Sequence, residues 1–258
     1  MNTKLLLIFY SFFCIINYTS ATHKPRVTFS MIMKNEAERK LRECLEEIRS
    51  YADKVNLTVV IIDDGSTDNS VEIAQEIFKD IPLVLIQNKE SKFFNEITLR
   101  KQQWEETIKT NPEWILNHDA DQIFEKRMRD EIYDLTNQNE IDVWCFRLYD
   151  FWSETHYRDD AMWCAHNTYR SFLIRYKPNF NYTWKETPQH CGHFPKNIYE
   201  LPSGKCNLRL KHYGWANKAD REAKYVRYMK LDPGAKYGWQ AQYDSILDEN
   251  PHLTEWVE

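Results

Sequence analysis

The alternation of strand-like and helix-like segments in the first half of the chain constrains its fold more than any other feature. Runs of β-branched and apolar residues predict four strands, at residues 27–33, 57–62, 83–86 and 114–116. Apolar residues that recur at helical spacing predict three intervening helices, at residues 37–53, 71–78 and 95–110. Such alternation is typical of an open parallel sheet covered by helices. We therefore expect an α/β fold with a single Rossmann-like sheet and helices on both faces.

The second half of the chain has a weaker pattern. Residues 143–148 and 169–175 are predicted as strands, and residues 219–231 are predicted as a helix. Residues 150–207 are crowded with Trp, Tyr, His and Pro and lack clean periodicity. Because no repeat, low-complexity tract or linker separates the two halves, we expect one domain over residues 25–258.

Residues 1–21 differ in character from the rest of the chain. Lys4 precedes an apolar run at residues 5–16, and the small residues Thr19 and Ala21 follow it. This order predicts a secretory signal peptide, which would place the protein in the secretory pathway or the cell envelope. The run is shorter than the ~20 residues that span a membrane. The alternative is a short uncleaved anchor, which would associate the protein with a membrane and leave it facing the cytosol.

The composition argues against two classes of function. The formal net charge of −5 argues against nucleic acid as a partner, because nucleic-acid binders usually carry a basic stripe. Only 6 of the 258 residues are glycine, and the sequence has no Gly-rich, basic phosphate loop of the kind that nucleotidyltransferases use. The hydrophobic content of 42% is ordinary and allows the chain to bury the core of an enzyme domain.

Asp119-Ala120-Asp121 is the sharpest chemical signal in the sequence. It follows the predicted strand at residues 114–116, and residues two apart in an extended segment point to the same side. Two such carboxylates can share a hard divalent cation, which prefers oxygen ligands and can also bind a diphosphate. A fixed Mn²⁺ or Mg²⁺ would stabilise the charge that builds on a leaving diphosphate. We therefore predict that Asp119 and Asp121 hold a divalent metal and that Asp119 also contacts the substrate.

Two further polar clusters follow predicted strands. Asn35 and Glu36 come after the first strand, and Asp63 and Asp64 come after the second. Ligands of open α/β sheets bind at the carboxyl ends of the strands, so we expect both clusters to share one edge with the acidic pair. A carboxylate there can accept the N–H of a uracil-type base or a ribose hydroxyl. We assign Asp63 and Asp64 to the nucleoside and Asn35 and Glu36 to the substrate, although a plain turn and helix cap also accounts for residues 65–68.

Three stretches of the chain resemble family 2 glycosyltransferases in their order and spacing. They are residues 30–36, 61–70 and 114–121. The resemblance implies the GT-A fold and an inverting transfer from a nucleotide-sugar, often a UDP-sugar, helped by Mn²⁺ or Mg²⁺. It also implies that residues 27–125 form a nucleotide-sugar-binding half and residues 126–258 an acceptor-side half.

The resemblance implies roles for individual residues. Asp63 would meet the base, and Asp119 and Asp121 would hold the metal and the diphosphate. Arg100 falls on a helix where similar proteins carry a basic residue facing the nucleotide, and the alternative is a surface helix charge. Gln122 departs from the family pattern, because relatives often have an acid at that position.

Two roles remain, a later metal ligand and a catalytic base. Several GT-A enzymes complete the metal shell with a later His, for which His212 is the first candidate and His190 the second. An inverting transfer also needs a base that takes the proton of the acceptor hydroxyl. Glu186 and Asp150 both lie beside aromatic residues that can desolvate a carboxylate, and His190 is a third candidate. The sequence leaves the choice of base open.

Together these features predict a metal-dependent, inverting glycosyltransferase that acts on a nucleotide-sugar. The predicted partners are a UDP-sugar as donor and a glycan, lipid or protein as acceptor, without nucleic acid. The alternative is a non-catalytic nucleotide- or glycan-binding protein on the same fold.

Overall fold

The computed structural model describes residues 23–258. The predicted signal peptide or anchor at residues 1–21 lies outside the described residues. Within the described part of the chain, every helix falls short of the length and apolar character needed to cross a membrane.

The first half of the chain follows the predicted alternation closely. Its elements are β1 (Arg26–Met33), α1 (Leu41–Arg49), β2 (Asn56–Asp63), α2 (Ser70–Ile77), β3 (Leu83–Gln87), α3 (Glu96–Lys109) and β4 (Trp114–Asn117). All of these except α1 begin and end within one residue of the predicted bounds. The helix α1 is shorter than predicted because residues 37–40 form turns before it, and a 3-10 turn at Ser50–Asp53 follows it.

The second half contains short strands that the sequence pattern did not predict. Its elements are β5 (Gln122–Phe124), α4 (Met128–Thr136), β6 (Val143–Asp150), β7 (His156–Arg158), β8 (Arg170–Arg175), β9 (Ser203–His212), α5 (Lys218–Leu231), α6 (Gln240–Asp244) and β10 (Leu253–Glu255). Strand β9 overlaps the region where no periodicity was recognised. Its buried residues Cys206, Leu208 and Leu210 nevertheless alternate with more exposed ones, which is the pattern of a half-buried strand.

The central sheet has eight strands in the order β3-β2-β1-β4-β8-β6-β9-β5. The pairs β3–β2, β2–β1 and β1–β4 are parallel, as predicted from the alternation. Beyond β4 the sheet becomes mixed, because β8 is antiparallel to both β4 and β6, and β5 is antiparallel to β9. Strands from both halves of the chain therefore belong to one sheet.

Helices cover both faces of the parallel part of the sheet. Phe29 and Met31 of β1 belong to a core cluster that also includes buried residues of α1 and α2. Ile32 of β1 and Ile62 of β2 face the other way and pack with Leu99 of α3. Because successive side chains of a strand point to opposite faces, this division fixes the orientation of β1 and β2 in the sheet.

The carboxyl ends of β1, β2 and β4 meet at one edge of the sheet. Met33 of β1 is paired with Asp63 of β2, and Ser30 of β1 is paired with Asn117 of β4. The loops after these strands therefore lie side by side. This edge carries the three polar clusters recognised in the sequence, which is the usual ligand position in such sheets.

Candidate active site

Asp119 lies in the turn between β4 and β5 and is held by two basic side chains. Arg100 donates from Nη2 to its Oδ1 at 3.1 Å, and His193 donates from Nε2 to its Oδ2 at 3.1 Å. Burial alone would raise the pKa of Asp119, but His193 and Arg100 outweigh it and hold the pKa well below its ordinary value. Arg100 is 6% exposed, so it is a residue of the site and not a surface helix charge.

Asp121 is only partly satisfied by its neighbours. Lys224 on α5 donates from Nζ to its Oδ2 at 3.3 Å. Its other oxygen, Oδ1, is buried and accepts no hydrogen bond from any described residue, and the Nε2 of His212 lies 3.6 Å from it. Lys224 and His212 outweigh the effect of burial and hold the pKa of Asp121 below its ordinary value. A buried carboxylate oxygen without a partner is costly, so this atom is a candidate to bind water or a cation.

His212 at the end of β9 connects Asp121 to Asp150 at the end of β6. His212 and Asp150 are paired in the sheet, and the Nδ1 of His212 lies 2.7 Å from the Oδ1 of Asp150. Burial would lower the pKa of His212, but Asp121 and Asp150 raise it to about 9. The predicted base Asp150 therefore contacts His212 and is absent from the cavity lining described below. A carboxylate that orients a His in this way is typical of metal sites.

Gly214 leaves the space in which three functional groups converge. A Cβ atom at this position would overlap with the Nζ of Lys224, the Oδ2 of Asp121 and the Nε2 of His212. Any larger residue would push these groups apart, so the close approach of the three depends on glycine.

Glu36 is a second carboxylate with an unused oxygen. Its Oε1 accepts a hydrogen bond from the Nη1 of Arg39 at 3.2 Å, and its Oε2 is buried without a partner among the described residues. Burial, followed by the nearby charge of Asp121, raises the pKa of Glu36 to about 7. Glu36 lines the cavity described below, and its binding of substrate stays a prediction.

These groups line one cavity of about 520 Å³. Its charged lining contains more cations than anions. The Lys and Arg residues are Lys34, Arg39, Arg100, Arg170, Lys224 and Arg227, and the acids are Glu36, Glu96, Asp119 and Asp121. His190, His193 and His212 also line it. Such a cavity suits a ligand with concentrated negative charge, because Lys and Arg recognise phosphate oxygens through charge-assisted hydrogen bonds.

Asp63 and Asp64 organise the loops behind the cavity and are absent from its lining. Asp64 is fully buried, and its carboxylate accepts hydrogen bonds from the backbone N–H groups of Lys92 and Phe93 at 2.8 and 3.1 Å. Asp63 is 1% exposed and accepts the N–H of Ser66 at 3.2 Å. In this structure both carboxylates hold backbone turns, a role that the sequence cannot separate from nucleoside binding, because each requires an acid at a strand end.

Asn35 also joins two loops in place of lining the cavity. Its φ of 52° lies in the left-handed region, which asparagine tolerates better than most residues. Its Oδ1 accepts the N–H of Thr67 at 2.7 Å, and its own N–H donates to the hydroxyl of Ser66 at 3.0 Å. Asn35 therefore ties the loop after β1 to the loop after β2.

Glu186 lies at the surface, away from the cavity lining. Its side chain is 63% exposed and accepts a hydrogen bond from the Nζ of Lys101 at 2.6 Å. The aromatic neighbour expected to desolvate it, Trp184, packs against Trp104 instead, with ring centroids 6.0 Å apart. The structure thus brings His190, but neither Glu186 nor Asp150, into the cavity lining.

Two contacts of the acidic pair were not predicted. His193 lies in an irregular loop, where the sequence offers no signal. Lys224 and Arg227 lie three residues apart on α5 and line the cavity together. Their helical spacing places them on one face, so a basic face of the predicted helix was a readable signal.

A model of the family described as glycosyl transferase family 2 matches residues 28–196. The match covers more than half of the chain, and the chain therefore belongs to this family. The predicted family and the predicted GT-A type of α/β fold are confirmed.

Two mycobacterial proteins are similar to this chain in sequence. An uncharacterized protein of Mycobacterium tuberculosis and one of Mycobacterium bovis are each 25% identical over 235 residues, covering 84% of this chain and 54% of the relative. The chain thus spans about half the length of the curated relatives it matches.

Similar solved structures are more distant in sequence. Residues 1–349 of TarS from S. aureus share 14% identity at a TM-score of 0.48, covering 86% of this chain and 69% of that chain. A mannosyltransferase from Pyrobaculum calidifontis, solved with GDP-Man and Mn²⁺, shares 22% identity at a TM-score of 0.37, covering 48% of this chain and 36% of that chain.

Proposed function

We propose that this protein transfers a sugar from a nucleoside-diphosphate sugar to an acceptor that is a glycan, a lipid or a protein. One observation carries the proposal. In a domain of glycosyl transferase family 2, Asp119 and Asp121 lie in a cavity that is lined by six Lys and Arg side chains. A site for a nucleoside diphosphate needs carboxylates that can hold a cation, and Lys or Arg side chains that can bind phosphate oxygens. A UDP-sugar is the first donor to test.

A divalent cation, Mn²⁺ or Mg²⁺, fits the atoms around Asp121. The buried Oδ1 of Asp121 has no described hydrogen-bond donor, and the Nε2 of His212 lies beside it. Because the Nδ1 of His212 binds Asp150, the Nε2 is the atom left to bind a metal. Residues 23–258 contain no preformed cluster of three or more His, Cys, Asp or Glu ligands, so the donor diphosphate and water would supply the remaining ligands. The cation would act as a Lewis acid on the leaving diphosphate.

The side chains around the cavity would then position the donor and offset its charge. Arg100 and His193 hold Asp119 in place through both of its oxygens. Lys224 and Arg227 on α5 also line the cavity and offer further cations. Fixed cations of this kind stabilise the charge that develops on a leaving group without reorganising during the reaction.

We further propose a single displacement with inversion at the anomeric carbon, the mechanism implied by the family resemblance. The acceptor oxygen attacks the anomeric carbon from the side opposite the diphosphate, and a base takes its proton. Determination of the product's anomeric configuration by NMR checks this proposal. A product that retains the configuration of the donor would overturn it.

A donor screen tests the proposed activity directly. The purified protein is incubated with UDP- and GDP-sugars in the presence of Mn²⁺, and release of the nucleoside diphosphate is measured. Turnover of at least one donor is expected, with loss of turnover in EDTA. Donor binding without turnover, at the same strength in Asp121→Ala, would favour the non-catalytic binding protein instead.

A further inference from the structure

A hydrogen-bond network of His190, Tyr243 and Asp232 leads from the cavity wall into the second half of the protein. His190 lines the cavity, and its Nε2 is hydrogen bonded to the hydroxyl of Tyr243 on α6. That hydroxyl lies 2.9 Å from the Oδ2 of Asp232, which follows α5. His190 lies in a loop, Asp232 directly follows α5 and Tyr243 lies in α6, so the fold has assembled the three residues.

The donors and acceptors of this hydrogen-bond network fix the tautomer of His190. A carboxylate can only accept, and the phenol of Tyr243 has a single hydrogen, which it donates to Asp232. The Nε2–H of His190 must therefore donate to the oxygen of Tyr243. The Nδ1 of His190 is left with its lone pair and makes no hydrogen bond to a described residue.

The Asp232 end of this hydrogen-bond network is held rigidly. Asp232 is fully buried and also accepts the backbone N–H groups of Tyr237 at 3.1 Å and Gly238 at 2.9 Å. Tyr243 is 3% exposed and stacks on Tyr228, with ring centroids 4.8 Å apart. A Cβ at Gly238 would overlap with the hydroxyl of Tyr243, so glycine is needed for the phenol to reach Asp232.

The His190 end of this hydrogen-bond network lines the cavity. His190 has a φ of 54°, in the left-handed region where a His residue is strained, and this conformation persists only when the surroundings hold it. The Nζ of Lys185 donates to its carbonyl oxygen at 2.9 Å. Three residues later, His193 contacts Asp119, so the loop carries both His residues to the cavity that holds the acidic pair.

We propose that the Nδ1 of His190 takes the proton of the acceptor hydroxyl, and that Tyr243 and Asp232 position its ring. This inference rests on the transfer reaction proposed above. As the acceptor O–H bond breaks, its proton moves to Nδ1 and its oxygen bonds to the anomeric carbon. The bond from that carbon to the diphosphate breaks, and the electron pair leaves with the diphosphate. His190 is the catalytic residue, and Tyr243 and Asp232 are positioning residues that stabilise the imidazolium through the Nε2–H.

The charges around His190 are compatible with this role. Burial lowers its pKa, so the ring is neutral and can accept a proton at neutral pH. The charged groups that face it are Glu96 and Asp232, which raise its pKa, and Lys185 and Arg227, which lower it. The rings of Tyr228 and Tyr243 pack against it. The other predicted bases are already engaged, Asp150 with His212 and Glu186 with Lys101.

The first test replaces His190 in the full chain by glycine, which adopts a φ of 54° without strain. The reaction is the release of UDP from a UDP-sugar that the wild type turns over with Mn²⁺, with water as the acceptor. We expect His190→Gly to lower kcat by about 100-fold or more, with partial rescue by added imidazole. The KM for the donor should stay within about threefold of wild type. A kcat within threefold of wild type, in a variant with an unchanged unfolding temperature, would overturn the proposal.

The second test addresses the positioning residues. Tyr243→Phe keeps the ring but removes the hydroxyl that joins His190 to Asp232. We expect kcat to fall by about tenfold, and the acidic limb of the pH profile to shift to lower pH by about one unit, because the imidazolium of His190 loses a stabilising partner. Tyr225→Phe is the matched control, because Tyr225 belongs to the same aromatic cluster and its hydroxyl bonds to no described residue. An unchanged kcat and pH profile in Tyr243→Phe would overturn the positioning role. Absence of UDP-sugar binding and turnover in the wild type would overturn the proposed function itself, whereas a fully active His190→Gly would overturn only the role of His190.

Discussion

The parallel half of the sheet and helix α5 line the same cavity, but they differ in how deeply their residues are buried. Seven of the eight residues of β1 are buried, whereas α5 has no buried residue along its 14 residues. Two ion pairs tie α5 to the first region, Lys224 with Asp121 at 3.3 Å and Arg39 with Asp220 at 2.6 Å.

This difference in burial distinguishes the acids of the site, which the sheet positions, from the cations that α5 carries. Hydrophobic burial is the dominant stabilising force in a core, so the sheet can hold the acids in fixed positions. Lys224 and Asp121 are only 14% and 16% exposed, so solvent and salt screen their ion pair less than a surface pair. Under the proposed function, the phosphates of a bound donor would compete with the Oδ2 of Asp121 for Lys224.

The largest expected effect comes from the buried half. Phe29 is fully buried in β1, and Phe29→Ala should lower the free energy of unfolding by about 3 to 5 kcal/mol, since it leaves a cavity in the core. Val226 on α5 is 65% exposed, and Val226→Ala should change it by less than about 0.5 kcal/mol. Urea unfolding of both variants measures the two changes, and equal losses of stability would show that the parallel sheet and α5 do not differ in this way.

The same contrast explains how much of the fold could be predicted. The strands β1 and β2 were found within one residue of their bounds because their apolar runs are continuous. Strand β9 was missed although its buried residues alternate, because it overlaps a region rich in aromatic residues that have no single period. The helix α5 was predicted, but its contacts were not, since ion pairs between distant residues leave no local pattern.

The site divides in the same way. Asp119, Asp121, Arg100 and His212 were predicted, and the structure brings them together. The chain from His190 through Tyr243 to Asp232 joins residues that are far apart in sequence and follow no motif. Strand ends could therefore be read from the sequence, whereas partners that arrive from irregular loops could not.

The next largest effect is expected for Asp121→Asn, which keeps the size of the side chain and removes its charge. Turnover of the donor with Mn²⁺ should fall by about 100- to 1,000-fold, because the group that faces the buried site loses its affinity for a cation. The measurement is release of the nucleoside diphosphate under saturating donor. Glu186→Gln is the matched control at an exposed position outside the cavity lining, and an equal loss in both variants would contradict the assignment.

A smaller effect is expected at the link between the two regions. Lys224→Met removes the ammonium group that occupies the Oδ2 of Asp121. The affinity for Mn²⁺ without donor should rise by about tenfold, because a competing positive charge is lost. Electron paramagnetic resonance of free Mn²⁺ measures the affinity, and Lys224→Arg is the control that keeps the charge. Unchanged or weaker binding in Lys224→Met would show that Lys224 does not compete for the cation site.

The smallest effect is expected in the dependence of metal binding on pH. His212 has a pKa raised to about 9, and a metal needs its neutral form, so binding must displace a proton below that pH. The affinity for Mn²⁺ should therefore rise with pH up to about 9, by at most about tenfold per pH unit. His212→Gln should bind more weakly and lose this slope, and a slope that persists unchanged in that variant would exclude His212 as a ligand.

The most direct test of the proposed metal and diphosphate site is calorimetric titration of UDP into the wild-type protein and Asp121→Asn, each with Mn²⁺ and with EDTA. We expect UDP to bind the wild type in the presence of Mn²⁺, and EDTA or Asp121→Asn to weaken binding by about 100-fold. UDP binding of the same strength in all four titrations would contradict the claim that Asp121 holds the metal and the diphosphate.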